Sequence, residues 1–379
     1  MKKMILIAAV LFSSILILNA GEHGYTIGEK VSFKSNILDE ERSILVYVPQ
    51  SYYLTDTQYP VLYLLDGGFH FHHASGIAQF LASNGLIPEM IVVAIVNVDR
   101  NRDFSPTKLS QRPTSGGAKK FMNFMSDELF PFVERNYRTK SFNVLMGHSL
   151  GGTFATYVLL NKPELFKGYI SISPYLMYDN NLLVRETESK LKSKYADGTV
   201  YYMTVGNEPN YFEALDHFAK TIEAKLPKGL GFEYTQMLED DHGSVPHLSI
   251  YNGLLFIYSD WKLDPEVFKE GLAAIDKHYK KMSKKYDYEI AAPENTINQL
   301  GYTYLANSDF DDAITVFKEN VGRFPKSANV YDSLGEAYEK AGQDDLAESN
   351  YRKAVEIATK KEHPNSKIYK KNLERVLEK

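Results

Sequence analysis

The chain has 379 residues, a formal net charge of −5 and no cysteine. That length exceeds one ordinary domain and accommodates a large core plus a smaller unit. Mild acidity gives nucleic acid no electrostatic footing. The lack of cysteine excludes disulfides, a thiol nucleophile, a thiolate metal site and a lipid-modified cysteine anchor.

Residues 1–20 join Lys2 and Lys3 to an apolar run from Met4 to Leu18 and close on Leu18-Asn19-Ala20. A basic start, a short apolar stretch and a small-residue stop predict a secretory signal peptide cleaved after Ala20, hence a periplasmic or secreted product. The alternative, an uncleaved anchor, asks a short run to span a bilayer. Residues 21–262 alternate strand-like and helix-like runs. Segments 31–35 and 44–48 read as an opening antiparallel pair, and 61–65 and 91–96 are near-continuous apolar runs, as in strands covered on both faces. An amphipathic stretch (Phe121, Phe124, Leu129, Phe132, Val133) precedes strands at 142–146, 168–173, 200–205 and 232–237. This pattern predicts an α/β fold with a doubly wound, mostly parallel sheet whose site lies at the carboxyl ends of its strands.

Residues 263–290 are lysine-rich and predict a linker helix with a solvated face at Lys280, Lys281, Lys284 and Lys285. Residues 291–379 hold an internal repeat. Leu300-Gly301-x-x-Tyr304 with Ala313-x-x-x-Phe317 recurs 34 residues later as Leu334-Gly335-x-x-Tyr338 with Ala347-x-x-x-Tyr351. Period and residue set are similar to tetratricopeptide repeats, a small all-α domain. Two copies need caps, which the linker helix and a last helix from Ser366 supply. A protein partner or self-association through the repeats is expected, and a cut after Lys262 is expected to leave residues 21–262 folded and functional while affecting partner binding or oligomer size.

Gly147-His148-Ser149-Leu150-Gly151 sits between a predicted strand and a predicted helix. G-x-S-x-G there is the nucleophile elbow of α/β-hydrolases, with Ser149 as nucleophile. His242, in Asp240-Asp241-His242-Gly243 after the last strand, is the expected general base, and His247 is its rival. His148 is expected to point away from Ser149 and pack. Glu208, at the tip of the strand ending at Val205, is the expected orienting acid, ahead of Asp179, Glu213, Asp216, Asp240 and Asp241. The order Ser149, Glu208, His242 is the one α/β-hydrolases use. The amide of Leu150 and that of Gly68, with Phe69 second, are the expected oxyanion donors. His70, His72 and His73 look like a metal cluster, yet nothing with zinc spacing accompanies them. Neither a metal nor a cofactor is expected.

With these residues in place, the chain resembles the esterase D-like family of α/β-hydrolases across roughly residues 25–261. The resemblance rests on Leu64-Leu65-Asp66-Gly67, on the segments 99–106 and 128–139, on Gly147 to Gly152, on Ile172-Ser173-Pro174 and on Asp241-His242-Gly243-Ser244. Arg100-Asn101-Arg102-Asp103 is similar to the ferric-siderophore esterase branch. Related members cleave feruloyl or acetyl esters of plant polysaccharide. Glu208 stands where many relatives carry Asp, and some siderophore esterases work with a Ser–His dyad.

The expectation is thus a serine esterase for a polar, anionic or aromatic small-molecule ester. Arg100 and Arg102 are expected to bind its anionic oxygens, and Tyr175, Tyr178 and Tyr211 to stack on a ring. In the alternative, these arginines and Asp103 form a structural ion-pair network. Two further readings are an inert hydrolase-like scaffold that works through its repeats, and an acyltransferase on the same fold.

Overall fold

The computed structural model describes residues 25–361 and 363–379, so the predicted signal peptide lies outside the described residues. The chain opens with β1 (Glu29–Ser35), β2 (Glu40–Tyr47) and β3 (Tyr59–Leu64), then α1 (Gly67–Ser83), β4 (Ile91–Ile95) and α2 (Arg100–Phe104). One long helical stretch follows: α3 (Ala118–Phe124), a π-helical turn and α4 (Phe130–Asn136). Next come β5 (Thr139–His148), α5 (Leu150–Asn161), β6 (Gly168–Ile172), α6 (Tyr178–Lys190), β7 (Lys194–Val205), α7 (Pro209–Lys225), β8 (Lys228–Gln236) and α8 (Val245–Ile257). The C-terminal part is helical throughout: α9 (Pro265–Lys269), α10 (Leu272–Tyr286), α11 (Glu294–Ala306), α12 (Phe310–Arg323), α13 (Ala328–Lys340), α14 (Asp344–Lys360) and α15 (Ser366–Leu377).

The eight strands form one sheet in the order β1-β2-β4-β3-β5-β6-β7-β8. The β1/β2 and β2/β4 pairs are antiparallel, and every pair from β4 to β8 is parallel. Strands β3, β4 and β6 are buried at every position. That is why they read as unbroken apolar runs rather than alternating ones. One face packs Phe104, Phe121, Phe154 and Phe218 of the helices against Tyr63, Tyr169 and Tyr201. The other face packs α1 and α8 against Leu62, Met146 and Ile170.

The lysine-rich helix α10 is solvated at Lys280, Lys281 and Lys284. Its other face, Ile275, Tyr279, Met282 and Tyr286, is buried in the same core as Phe142, Tyr258 and Trp261. Tyr286 lies edge-on to Phe142 at 5.4 Å, and Tyr279 edge-on to Trp261 at 5.9 Å. The expected boundary at residue 262 therefore runs through a packed aromatic cluster. Ile297, Leu300 and Val316 carry that core into the repeat helices, and Arg323 grips Asp276 through two bonds of 2.6 and 2.8 Å. Within the repeats, Gly301 and Gly335 face the rings of Phe317 and Tyr351, where an added Cβ would sit 2.5 and 2.8 Å from ring carbons.

The helical part abuts the amino ends of the parallel strands. Lys361 and Lys326 reach Leu54 and Asp56 just before β3, Lys140 at the start of β5 donates to the Glu289 carbonyl, and Asp287 lies 3.5 Å from Lys167 before β6. At about 3.3 Å per residue, the ten residues of β5 put roughly 30 Å between that end and Ser149.

Two predictions follow from this packing. Cutting the chain after Lys262 bares Phe142, Tyr258 and Trp261, whose burial contributes on the order of 2 kcal/mol each. Such a protein should unfold at a clearly lower temperature than one ending at residue 292, and equal melting curves would show that α10 adds nothing to the hydrolase core. Second, burial between α13 and α15 raises the Asp332 carboxyl to about 6, and the bonds from Asn372 offset only part of this. A carboxyl whose folded pKa is raised loses stabilisation as pH climbs from the unfolded value to the folded one. Asp332→Asn should therefore leave the melting temperature nearly unchanged at pH 4 and raise it at pH 8.

Candidate active site

Strand β5 runs directly into Ser149, whose backbone lies at φ 57° and ψ −120°. A non-glycine residue there costs about 1–3 kcal/mol and persists only where its surroundings over-determine it. They do so here. The Ser149 amide donates to the Ile172 carbonyl at 2.8 Å, and the Ser149 carbonyl accepts from the amides of Thr153 and Tyr175 at 3.0 and 3.2 Å. Strand and helix pass so close that a Cβ on Gly147 would lie 2.2 Å from the Gly151 carbonyl oxygen. Glycine is obligatory at that position.

Glu208 immediately precedes α7, and His242 lies in the loop after β8. That loop is shaped by Asp241, which accepts from the amides of Gly243 and Ser244 at 2.8 Å each. Glu208 Oε1 meets His242 Nδ1 at 2.5 Å, while Oε2 accepts from the Ser173 hydroxyl and from the Gly206 amide at 3.3 Å. Burial pushes the Glu208 carboxyl up, but hydrogen bonds from His242 and Ser173 outweigh it and hold the pKa below the usual value. An ionised carboxylate at Nδ1 keeps the proton there and leaves Nε2 as the basic nitrogen.

Three of the other acids considered from sequence are engaged elsewhere, and Glu213 lies within α7. Asp179 accepts from Thr107, Asp216 from Tyr234 and Gln236, and Asp240 from Ser244. His247 lies in the first turn of α8 with its ring stacked on His73 at 5.5 Å, away from Glu208.

The amide of Leu150 is the first of α5, where helix N–H groups lack intrahelical acceptors. Across the cleft, Asp66 turns through the left-handed region at φ 53° to start α1. Gly67 is pressed on the backbone of Ala94 and Ile95, whereas Gly68 is exposed with open space around it. The Phe69 amide already donates to the Asp66 carbonyl at 2.9 Å, which leaves Gly68 the better placed donor of the two.

The arginines fall differently from the expectation of substrate binding. Arg102 spends Nε on Asp103 at 2.8 Å and its two terminal nitrogens on Glu40 at 2.9 and 2.6 Å. With fully buried Arg42 also bound to Asp103 and Glu40, these residues form a structural ion-pair network in which every Arg102 side-chain nitrogen is engaged by an acid. Arg100 braces the site instead. Nε and Nη2 hold Asp66 at 2.7 and 3.0 Å, and Nη2 also reaches the His148 carbonyl at 3.1 Å. Tyr178 is buried with its hydroxyl on the Thr107 carbonyl at 2.6 Å, so it is not a stacking surface. Tyr175 and Tyr211 are half-buried with ring centroids 6.0 Å apart, and Tyr211 lies 5.8 Å from the His242 ring. Burial raises the Tyr211 hydroxyl pKa, and the neighbouring Ser149 side chain offsets part of that rise.

Sequence reasoning gave Ser173 and His148 no part in the site. Ser173 is buried at φ 38° and fixes the far oxygen of Glu208. The ring of His148 packs 4.5 Å from that of His242. It heads a row in which His70 lies 5.6 Å on and hydrogen-bonds His73 at 2.9 Å. Burial, reinforced by neighbouring imidazoles, lowers His148 to about 4, His70 to about 3 and His73 to about 4. A serine before Pro174 and a histidine inside the elbow were visible signals, but their partners come from β7, α7 and α1. Among the described residues, no three histidine, aspartate or glutamate side chains converge as metal ligands would.

A strained serine after a central parallel strand, with an acid and a histidine on later loops of the same sheet edge, defines an α/β-hydrolase. Comparison with known proteins agrees. Residues 35–204 match the family described as "Putative esterase", and residues 328–361 match a tetratricopeptide repeat. The ferri-bacillibactin esterase BesA of Bacillus subtilis is 34% identical over 226 residues, 52% of this chain and 78% of the relative. An IroE-like serine hydrolase from Shewanella oneidensis superposes with a TM-score of 0.68 at 26% identity, over 77% of this chain and 98% of that one. An uncharacterised protein from Capnocytophaga ochracea shares the fold over 93% of this chain and all of its own, with a TM-score of 0.61 at 18% identity. The chain belongs to this esterase family, with a tetratricopeptide repeat region at its C-terminal end.

Four variants rank the site. Ser149→Ala and His242→Ala should each lower ester hydrolysis by about 10³-fold or more with the fold intact by circular dichroism, because nucleophile and base act as a unit. Glu208→Gln should cost about a hundredfold less than either. Ser173→Ala should cost about tenfold, the worth of one hydrogen bond to a charged group. If His247→Ala proves as damaging as His242→Ala, the base is misassigned. Because burial keeps His70, His73 and His148 neutral above about pH 5, they should add no ionisation to the rise of kcat/KM between pH 5 and 8, and a slope of two on the acid limb would contradict this.

Proposed function

We propose that this protein is an exported serine esterase that cleaves carboxylic esters through an acyl-enzyme on Ser149. The observation that carries the reading is the 2.5 Å contact between Glu208 and His242 Nδ1 beside a serine held in a strained elbow. In this scheme His242 Nε2 takes the Ser149 proton as Oγ attacks the ester carbonyl. The amides of Leu150 and Gly68 receive the oxyanion, and the imidazolium returns its proton to the departing alcohol. Water, deprotonated by the same histidine, then releases the acid and frees Ser149. Glu208 stabilises the imidazolium without being protonated.

Hydrolysis is favoured over acyl transfer by the side chain of His242, which is 41% exposed and so open to water. An inert scaffold would have no need of a strained serine with a complete acid–base pair beside it. The proposed substrates are siderophore esters or other aromatic or carbohydrate-linked esters, since BesA is a ferri-bacillibactin esterase. Export is proposed from the leader at residues 1–20, and no helix among the described residues is long and apolar enough to cross a membrane. The repeat region is of the kind that binds protein partners. We place the catalytic unit at about residues 25–292, since α10 belongs to its core.

The test is a panel of p-nitrophenyl acetate, methyl ferulate and a ferric tricatecholate trilactone. Hydrolysis of the trilactone at a kcat/KM at least tenfold above that for the acetate supports the siderophore reading. Preference for the ferulate moves the proposal to aromatic plant esters, and failure on all three rejects the esterase reading of the site.

A further inference from the structure

One cation beside the tyrosines of the site has no carboxylate partner. The loop 105–117 joins α2 to α3 and places Arg112 with its guanidinium 5.8 Å from the ring centroid of Tyr175 and 6.0 Å from that of Tyr178. Its polar side-chain contact is a long bond of 3.3 Å to Asn101, and among the described residues no acid lies within ion-pair distance of it. Arg42, Arg100 and Arg102, by contrast, are each held by acids. From Arg112 a line of rings leads inward, through Tyr175 and Tyr211 at 6.0 Å to His242 at 5.8 Å.

The loop is built to hold that position. The Arg112 amide donates to the Leu109 carbonyl at 3.0 Å, and the Arg112 carbonyl accepts both the amide and the hydroxyl of Ser115, at 3.0 and 2.6 Å. The Ser115 hydroxyl oxygen in turn accepts from the Leu109 amide at 2.8 Å. The same loop is latched to the start of α6 by Tyr178 on the Thr107 carbonyl and by the Thr107 hydroxyl on Asp179, each at 2.6 Å. There the backbone of Asp179, Asn180 and Asn181 runs through three successive left-handed conformations, φ 49°, 53° and 59°. Asp and Asn are the residues besides glycine that enter this region most readily, which lets the chain turn sharply at the start of α6.

We propose that Arg112, backed by the face of Tyr175, is a specificity-determining residue that selects esters whose acyl part carries a negatively charged aromatic ring. A planar, weakly hydrated guanidinium on an aromatic face keeps donors free for an anion, and a ring entering along Tyr175 and Tyr211 brings its charge to them. This rests on the esterase reading and names the acyl chemistry of that site.

The probes are two 4-nitrophenyl esters of the same shape, the mono-ester of terephthalic acid, whose ring carries a carboxylate, and the 4-carbamoylbenzoate, which is neutral. Wild-type protein should favour the charged ester. Arg112→Gln should reduce the ratio of kcat/KM for charged over neutral ester about tenfold, mainly through KM, and Arg112→Lys should restore part of it. A ratio within twofold of wild type in Arg112→Gln, or an equal loss on both esters, overturns the proposal and leaves Arg112 a loop-packing residue. Binding of terephthalate to Ser149→Ala protein, followed by calorimetry, supplies a readout free of turnover. Loss of that binding in Ser149→Ala/Arg112→Gln supports the anion site even if no ester is cleaved, whereas unchanged binding overturns it while ester hydrolysis stands.

Discussion

The molecule is organised around one strained turn. Ser149 holds its left-handed backbone because β6 accepts its amide, α5 and Tyr175 bond its carbonyl, and Gly147 lets strand and helix nearly touch. The bond to Ile172 requires β6 in register, and the others require α5 and the loop after β6 to pack against the end of β5. The parallel order from β4 to β8, with β5 in the middle, is what makes the turn affordable. The same order delivers the other groups, because loops after β3, β7 and β8 all open on the edge where the serine stands.

Charge is handled in two compartments. Behind the cleft, Arg42, Arg102, Glu40 and Asp103 neutralise one another where an unpaired charge would be prohibitive. Facing it, Arg100 holds Asp66 and thereby the turn that carries Gly68. Alongside, three histidines are kept neutral by burial, so the wall next to His242 adds no positive charge when that residue is protonated. A neutral aromatic wall resists imidazolium formation less than a second cation would.

What was legible in the sequence was local. The buried parallel strands announce themselves by unbroken apolar runs, and the elbow by two glycines around a serine at a strand end. The meeting of His242 with Glu208 was foreseeable because α/β topology forces loops after late strands onto one edge, so chain order alone narrows the choice. The fate of the arginines was not readable. Arg102 meets Glu40, 62 residues away, and nothing near either residue signals the pairing. The role of Ser173 depends on a glutamate 35 residues later, and that of His148 on a ring contact between distant loops. Helix α10 was half legible. Its lysines mark the wet face, but Tyr279 and Tyr286 reveal their partners only once Trp261 and Phe142 are in place.

The repeats meet the amino ends of the strands, and the candidate site lies at the carboxyl ends. A body gripped by its helical end would thus be moored by the stern, with its catalytic face turned outward to the medium. Attachment and turnover then use separate surfaces about one strand length apart, so neither needs to yield room to the other. The shared aromatic cluster under α10 makes the mooring stiff rather than hinged. An enzyme arranged in this way can be stationed on a larger assembly and still sample freely diffusing esters from the open side.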